Sequence, residues 1–235
     1  MTDLANGLTG ESCYACDEPA TTKEHAPPYS FFPKGKRQNL ITVPSCSVHN
    51  CSNSNDVEYV RNAIASLADL NEAGESLIDT TKRSFDHSPA LFKRTFKSFV
   101  VRSLENQIGT FRFDLKRVDR VMVAVVQALH YRDTGQKWGH WLVFVPSLRS
   151  ESSLVNGTPD GCEGLRNLVS SIRYEERPTA EPEAFRYASR PLDWGWVYRL
   201  TFYDTFVVNV LMVTPMDEEK YLRRKQDHEG QISAH

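Results

Sequence analysis

Glu24 and His25 stand side by side in the stretch TKEHAPPYSFF, residues 22–32, just ahead of Pro27 and Pro28. A carboxylate offers hard oxygen atoms to a divalent cation such as Mg²⁺ or Mn²⁺. An imidazole with a pKa of about 6.5 suits proton removal near neutral pH. Two short runs bracket the pair. Cys13-Tyr-Ala-Cys16 is a C-x2-C knuckle, Cys46-Ser-Val-His49 is a C-x2-H knuckle, and 29 residues separate them. Three thiolates and one imidazole form a closed tetrahedral set of the kind Zn²⁺ takes in structural sites. Cys51 is an alternative to His49 as the fourth ligand, although C-x4-C is the less usual closing turn. A metal in this bracket draws residues 13–16 against 46–49, so the chain between them loops out and returns. Asn50, directly after the last ligand, is then brought toward Glu24 and His25 and adds a second hard oxygen.

The order C-x2-C, then Glu24-His25, then C-x2-H followed at once by Asn50 resembles the HNH endonucleases, the ββα-metal or His-Me finger superfamily. It is most similar to their zinc-bearing branch and covers roughly residues 13 to 60. The family's usual acid-His pair is Asp-His, where this chain has Glu24-His25, and its usual closing C-x2-C-Asn stands here as Cys46-Ser-Val-His49-Asn50. The resemblance implies a metal-dependent endonuclease that hydrolyses phosphodiester bonds of DNA. His25 would be the general base that activates a water, and Glu24 and Asn50 would hold one Mg²⁺ or Mn²⁺ against the scissile phosphate. Cys13, Cys16, Cys46 and His49 would hold the structural zinc, and the products would be 5′-phosphate and 3′-hydroxyl ends. The resemblance also implies roles of the kind such nucleases serve, in antiviral defence or mobile elements.

The elements that must position these residues follow from composition and periodicity. Residues 13–55 are poor in aliphatic periodicity and rich in Cys, Pro, Ser and Asn, so burial alone cannot hold them, and zinc ligation supplies what the small core lacks. Residues 1–12 are expected to be flexible. A helix is expected from SNDVEYVRNAIASLADL, capped by Asn55 or Asp56, with Val57, Val60, Ile64 and Leu67 on one face. SPALFKRTFKSFVVRSL reads as a second helix. DLKRVDRVMVAVVQALHYRDTG reads as a third, capped by Asp114, striped by Val118, Met122, Val125 and Leu129, and ended by Gly135. HWLVFVPSL is strand-like, and WVYRLTFYDTFVVNVLMVTP reads as two strands joined around Tyr203-Asp204-Thr205. NGTPDGCEG reads as a loop. The expected fold is therefore α+β: a small zinc-clamped ββα nuclease module over residues 1–70, then a larger α+β domain of unassigned role over residues 71–235.

The chain has 235 residues, formal net charge −2, and no apolar run long enough to span a bilayer. The N-terminus has no basic start and apolar core of a secretory signal, and four of the five cysteines crowd between residues 13 and 51. A cytoplasmic setting is expected. Ten Lys/Arg oppose four acids between Lys82 and Arg120, whereas 14 acids oppose 10 bases from Glu151 onward. The basic segment is a candidate track for a DNA backbone or a set of solvated helix faces. Lys23, Lys34, Lys36 and Arg37 in the loop are candidate phosphate contacts or solubilising charges. Tyr29, Phe31 and Phe32 are expected to form the small hairpin core. A further reading competes with the nuclease, a non-catalytic zinc module that binds nucleic acid or a protein; in a third, the acidic C-terminal domain docks a partner protein, such as a regulatory one, with the nuclease as its effector. A homodimer would let one site per protomer cut both strands.

Overall fold

The computed structural model describes residues 10–51, 54–66, 70–96, 99–101, 109–111, 114–139, 141–148 and 162–214. Strands β1 (Thr22–His25) and β2 (Thr42–Ser45) pair antiparallel, with Thr22 opposite Ser45 and His25 opposite Thr42. A 3₁₀ turn, Tyr29–Phe31, lies in the connection between them. Ahead of the hairpin, the Cys13 and Tyr14 amides donate to the Glu18 and Pro44 carbonyls at 2.9 and 2.8 Å. Residues 11 and 12 were expected to be flexible, but Ser12 bridges Pro19 and the Glu11 carbonyl accepts from Ala20. These backbone bonds fold the first knuckle back onto β2. Helix α1 (Ser47–Cys51) begins directly after Cys46, and α2 (Ser54–Ile64) follows.

Helix α2 already contains the residues expected to cap it. Asp56 sits in its first turn and instead takes Arg117 and Arg120 at 2.6 and 2.8 Å. Helix α3 (Glu72–His87) is capped by the Asn71 side chain, which accepts the Gly74 amide at 3.2 Å. Helix α4 (Pro89–Thr95) starts with Pro89 and is capped by Ser88. The helix expected over residues 88–104 stops there. β3 (Phe99–Val101) pairs antiparallel with β4 (Gly109–Phe111), because the β-branched and aromatic run Phe99-Val100-Val101 favours extended backbone. Helix α5 (Leu115–Thr134) has the expected limits: Asp114 accepts from the Arg117 amide at 3.3 Å, and Gly135, at φ 70°, takes the left-handed C-terminal position.

Strands β5 (Trp141–Leu148), β6 (Glu175–Arg177), β7 (Phe185–Leu192), β8 (Gly195–Phe202) and β9 (Phe206–Val213) form one antiparallel sheet in the order β5-β9-β8-β7-β6. Residues 203–205 link β8 to β9, with Tyr203 and Asp204 at φ 51° and 61° and the Thr205 amide donating to the Phe202 carbonyl at 3.1 Å. Helix α6 (Cys162–Ser171) includes the end of the expected 156–164 loop; residues 156–161 of that loop lie outside the described residues, as do residues 1–9 and His140. Strand alternation divides β8 between two clusters. Tyr198, Leu200 and Phe202 join the main core, while Val197 packs with Val169 and Leu211. The main core is continuous from Cys13, Phe31 and Val43 through Val60 and Ile64 to Val125, Leu129 and Met212. Residues on both sides of position 70 thus share one buried cluster, and the Tyr203 hydroxyl donates to the Phe31 carbonyl across that boundary. Among the described residues no helix is long and apolar enough to cross a membrane.

His130 on α5 is fully buried, with Nδ1 3.1 Å from the Tyr198 hydroxyl and Nε2 without a partner. Burial lowers its pKa from 6.5 to about 4. The unfolded chain therefore takes up this proton as pH falls below about 6.5, while the folded chain resists until about 4. Stability is unaffected by this group at higher pH and falls through that window. Urea unfolding at pH 7.5 and pH 5 should differ by about 2 kcal/mol more in the wild type than in His130→Gln. Equal losses in the two proteins would remove His130 from the account.

Candidate functional site

The two knuckles meet. The ligand atoms of Cys13, Cys16, Cys46 and His49 all lie within 4.8 Å of one another. The His49 Nδ1 is 3.5, 3.6 and 3.2 Å from the sulfurs of Cys13, Cys16 and Cys46, and the Cys16 and Cys46 sulfurs are 3.9 Å apart. A tetrahedral Zn²⁺ with ordinary bond lengths places sulfurs at about 3.8 Å from each other and about 3.6 Å from the nitrogen. The group could therefore hold a metal such as zinc, with His49 in the fourth position. Cys13 and Cys46 are buried, so ion binding here ties together two segments that have few apolar contacts of their own. Burial works to raise the Cys13 thiol, but amides of Ala15, Cys46 and Cys16 outweigh it and its pKa falls. At Cys16 a backbone bond with Glu18 works to lower the thiol, yet burial and the neighbouring sulfurs prevail and its pKa rises. Crowded thiols that compete for ionisation are the state a dication relieves. Lys137, just past α5, donates to the Cys16 carbonyl at 2.7 Å and to Asp17 at 3.0 Å, which fixes the first knuckle to the larger part of the fold.

Beside this cluster lies a pocket of about 440 Å³. Glu24, His25, His49 and Asn50 line it from the hairpin and α1. Ser54, Val57, Glu58 and Arg61 line it from α2, and Val121, Ala124, Val125 and Ala128 from α5. Both helical sets follow the i, i+3, i+4, i+7 spacing of a single helix face, so the α2–α5 packing builds the wall opposite β1. The alanines on α5 leave the volume open. His25 ends β1, where strand alternation stops constraining its direction, so it shares the pocket with Glu24. No hydrogen-bond partner holds its imidazole among the described residues, its ring lies 5.4 Å from the Tyr29 ring, and burial lowers its pKa. It is a neutral base open to the pocket at neutral pH. Asn50 lies within α1 rather than at the cap of α2, and its Nδ2 donates to the Thr22 hydroxyl at 2.9 Å. That bond uses one of the two N–H donors of the amide.

Glu24 is the unusual member. Its Oε2 is buried without a hydrogen-bond partner among the described residues, and burial raises its pKa to about 7. A buried carboxylate oxygen left unpaired in a pocket beside a histidine and an amide calls for a proton or a cation. The sign follows directly. The folded form holds the proton more tightly than the unfolded chain, so ionisation destabilises the fold as pH rises from about 4.5 to about 7. Glu24→Gln should raise stability at pH 8, in buffer without added divalent cation, by about 1–3 kcal/mol after allowance for solvent screening, and the gain should vanish below about pH 5. Urea titration at both pH values checks this; a loss of stability at both would mean that the carboxylate has a structural partner.

The candidate phosphate contacts separate. Lys23 and Lys34 are exposed. Lys36 is instead ion-paired with Glu183 at 2.7 Å and Glu181 at 3.5 Å. Arg37 donates to the Phe32 carbonyl at 2.8 Å and lies over the Tyr29 ring. In the basic segment Arg94 pairs with Glu58, and Arg117 and Arg120 pair with Asp56, so these charges hold α4 and α5 to α2. Lys82, Arg83, Lys93 and Lys116 remain exposed, while Lys97, Arg102 and Arg112 lie outside the described side chains. Phe31 and Phe32 are core residues as expected, but Tyr29 is 46% exposed and borders the pocket. Arg61 and Glu58 also border it and had no motif to mark them. Only the α2 face, read together with its packing on α5, brings them in. No family model, curated protein or solved structure matches this chain.

Proposed function

We propose that the pocket is the active site of a metal-dependent endonuclease of the HNH type, built on a zinc-clamped ββα module and acting on DNA. The observation that carries the reading is the unpartnered Glu24 oxygen in one pocket with the unengaged His25 imidazole and Asn50. The donor set fits a hard divalent cation: a carboxylate oxygen without a hydrogen-bond partner among the described residues and an amide that donates to Thr22 through its nitrogen. Such a cation, Mg²⁺ or Mn²⁺, would supply Lewis-acid stabilisation of charge on the scissile phosphate and the departing 3′ oxygen. His25 takes a proton from the attacking water as the water oxygen bonds to phosphorus. The P–O3′ bond breaks, and the 3′ oxygen takes a proton from solvent, leaving 5′-phosphate and 3′-hydroxyl ends. Glu24 and Asn50 would hold that cation through their oxygens and through it place the phosphate. The larger part of the fold supplies the α5 wall, so it shapes the pocket.

One observation favours the protein-binding form of the second reading, a non-catalytic zinc module that binds nucleic acid or a partner protein. Arg94, Arg117 and Arg120 are engaged with acids of α2 and do not form a free cationic track. The test is supercoiled plasmid incubated with purified protein and Mg²⁺ or Mn²⁺. Nicking that disappears without the divalent cation and in Glu24→Ala and Asn50→Ala supports the nuclease. Tight DNA binding without cleavage at one zinc per chain supports the module.

A further inference from the structure

Arg61 is a half-buried cation that makes no ion pair among the described residues, although Glu58 lies near enough to favour its charge. Its Nε and one terminal nitrogen both donate to the side chain of Asn62, at 3.2 and 2.9 Å. Asn62 is fully buried, and its own amide nitrogen reaches Thr95 at 3.5 Å. The guanidinium is thus held by a fixed acceptor, and the rest of its five N–H donors have no acceptor among the described residues. The neighbouring arginines are treated differently: Arg94, Arg117 and Arg120 each meet an acid. Glu58, one turn earlier on the same face of α2, is taken by Arg94. Arg37 adds like charge and also lacks a carboxylate partner. Burial disfavours the charge on Arg61; the nearby Glu58 offsets part of that cost, and Arg37 adds to it. An arginine keeps its proton in proteins, so the cost persists until an anion arrives.

We propose that Arg61 is the anion subsite of this pocket and binds a backbone phosphate of the nucleic acid substrate. The identity of the ligand rests on the nuclease reading; the demand for an anion does not. A guanidinium with free donors in a planar fork matches a phosphodiester bidentately, which the point charge of a lysine does not. The contact carries no base information, so it adds affinity without sequence preference.

The test is fluorescence anisotropy of a labelled oligonucleotide duplex of two unrelated sequences, across a salt series, in the full chain. A His25→Ala background prevents cleavage. Adding Arg61→Gln should weaken binding roughly tenfold for both sequences and reduce the slope of log K against log salt by about one. Arg61→Lys should keep the slope and lose part of the affinity. Unchanged affinity and slope in Arg61→Gln, with zinc content and melting temperature retained, overturns the subsite. If Arg61→Gln does not fold, Arg61→Lys decides, and unchanged affinity there overturns it as well. Failure of the parent reading is separate. If the wild type never cleaves but Arg61→Gln loses the slope, the subsite stands and the nuclease falls; if cleavage occurs and Arg61→Gln binds as its parent does, only the subsite falls.

Discussion

Replacing His25 by alanine should slow divalent-dependent nicking of plasmid DNA by about 100- to 10,000-fold, the usual contribution of a positioned general base. The side chain is well placed for a clean experiment. It ends β1, forms no hydrogen bond among the described residues, and touches Tyr29 only through a tilted ring contact. Its removal therefore breaks no buried polar network, and zinc content and melting temperature should stay close to those of the wild type. Because burial keeps the imidazole neutral at pH 7, the wild type needs no preliminary deprotonation to accept the water's proton. Loss of cleavage with an intact fold assigns the proton transfer to position 25. Undiminished cutting by His25→Ala would show that another group takes the proton, and the pocket would lose its catalytic role.

The parts of this site that a sequence reveals are those set by residue identity at short spacing. A thiolate or imidazole is a metal ligand wherever the chain bends back, so two knuckles suffice to bring Cys13, Cys16, Cys46 and His49 together. Asn50 follows because it is one residue from a ligand. Arg61 and Ala124 are different. Their place depends on which faces of α2 and α5 meet, and that is decided by packing between segments some 60 residues apart in sequence. The pairing with His25 marks Glu24 as a candidate ligand beforehand, but the enclosure of its oxygen shows only in the fold.

The same division runs through the fold. Helix α5 was legible from its apolar stripe and both caps, and β8 and β9 from their β-branched and aromatic residues. Helix α3 was not, because it buries little beyond Ala73, Gly74, Leu77 and Thr81 and carries no continuous stripe. Strand β7 breaks its alternation at Ala188, Ser189 and Pro191, and gains its place from register with β8. The run Phe96 to Val101 satisfied helical spacing, but a strand partner at residues 109–111 decided against it, and tertiary pairing overrides local periodicity in such short segments.

Cys46→Ser should reduce bound zinc from about one ion per chain to a small fraction and unfold the hairpin segment. Structural zinc sites contribute on the order of 10 kcal/mol, as much as the whole stability of an ordinary domain at about 5–15 kcal/mol. Residues 13–51 have little to replace that. Their buried side chains, Tyr14, Phe31, Phe32 and Val43 among them, are few and belong to a cluster whose mass lies in α5 and the five-stranded sheet. The sheet and α5 have their own packing, so hydrogen exchange should rise first at β1, β2 and α1 while β8 and β9 stay protected. Cleavage should vanish in the same variant, since Glu24 and His25 are positioned by β1 and Asn50 by the helix that starts at the lost ligand. A chelator that strips the wild type should reproduce the pattern, and zinc added back should reverse it. Cys46→Ser that retains one zinc and exchanges like the wild type would exclude Cys46 as a ligand, and a folded, active wild type without metal would exclude the clamp.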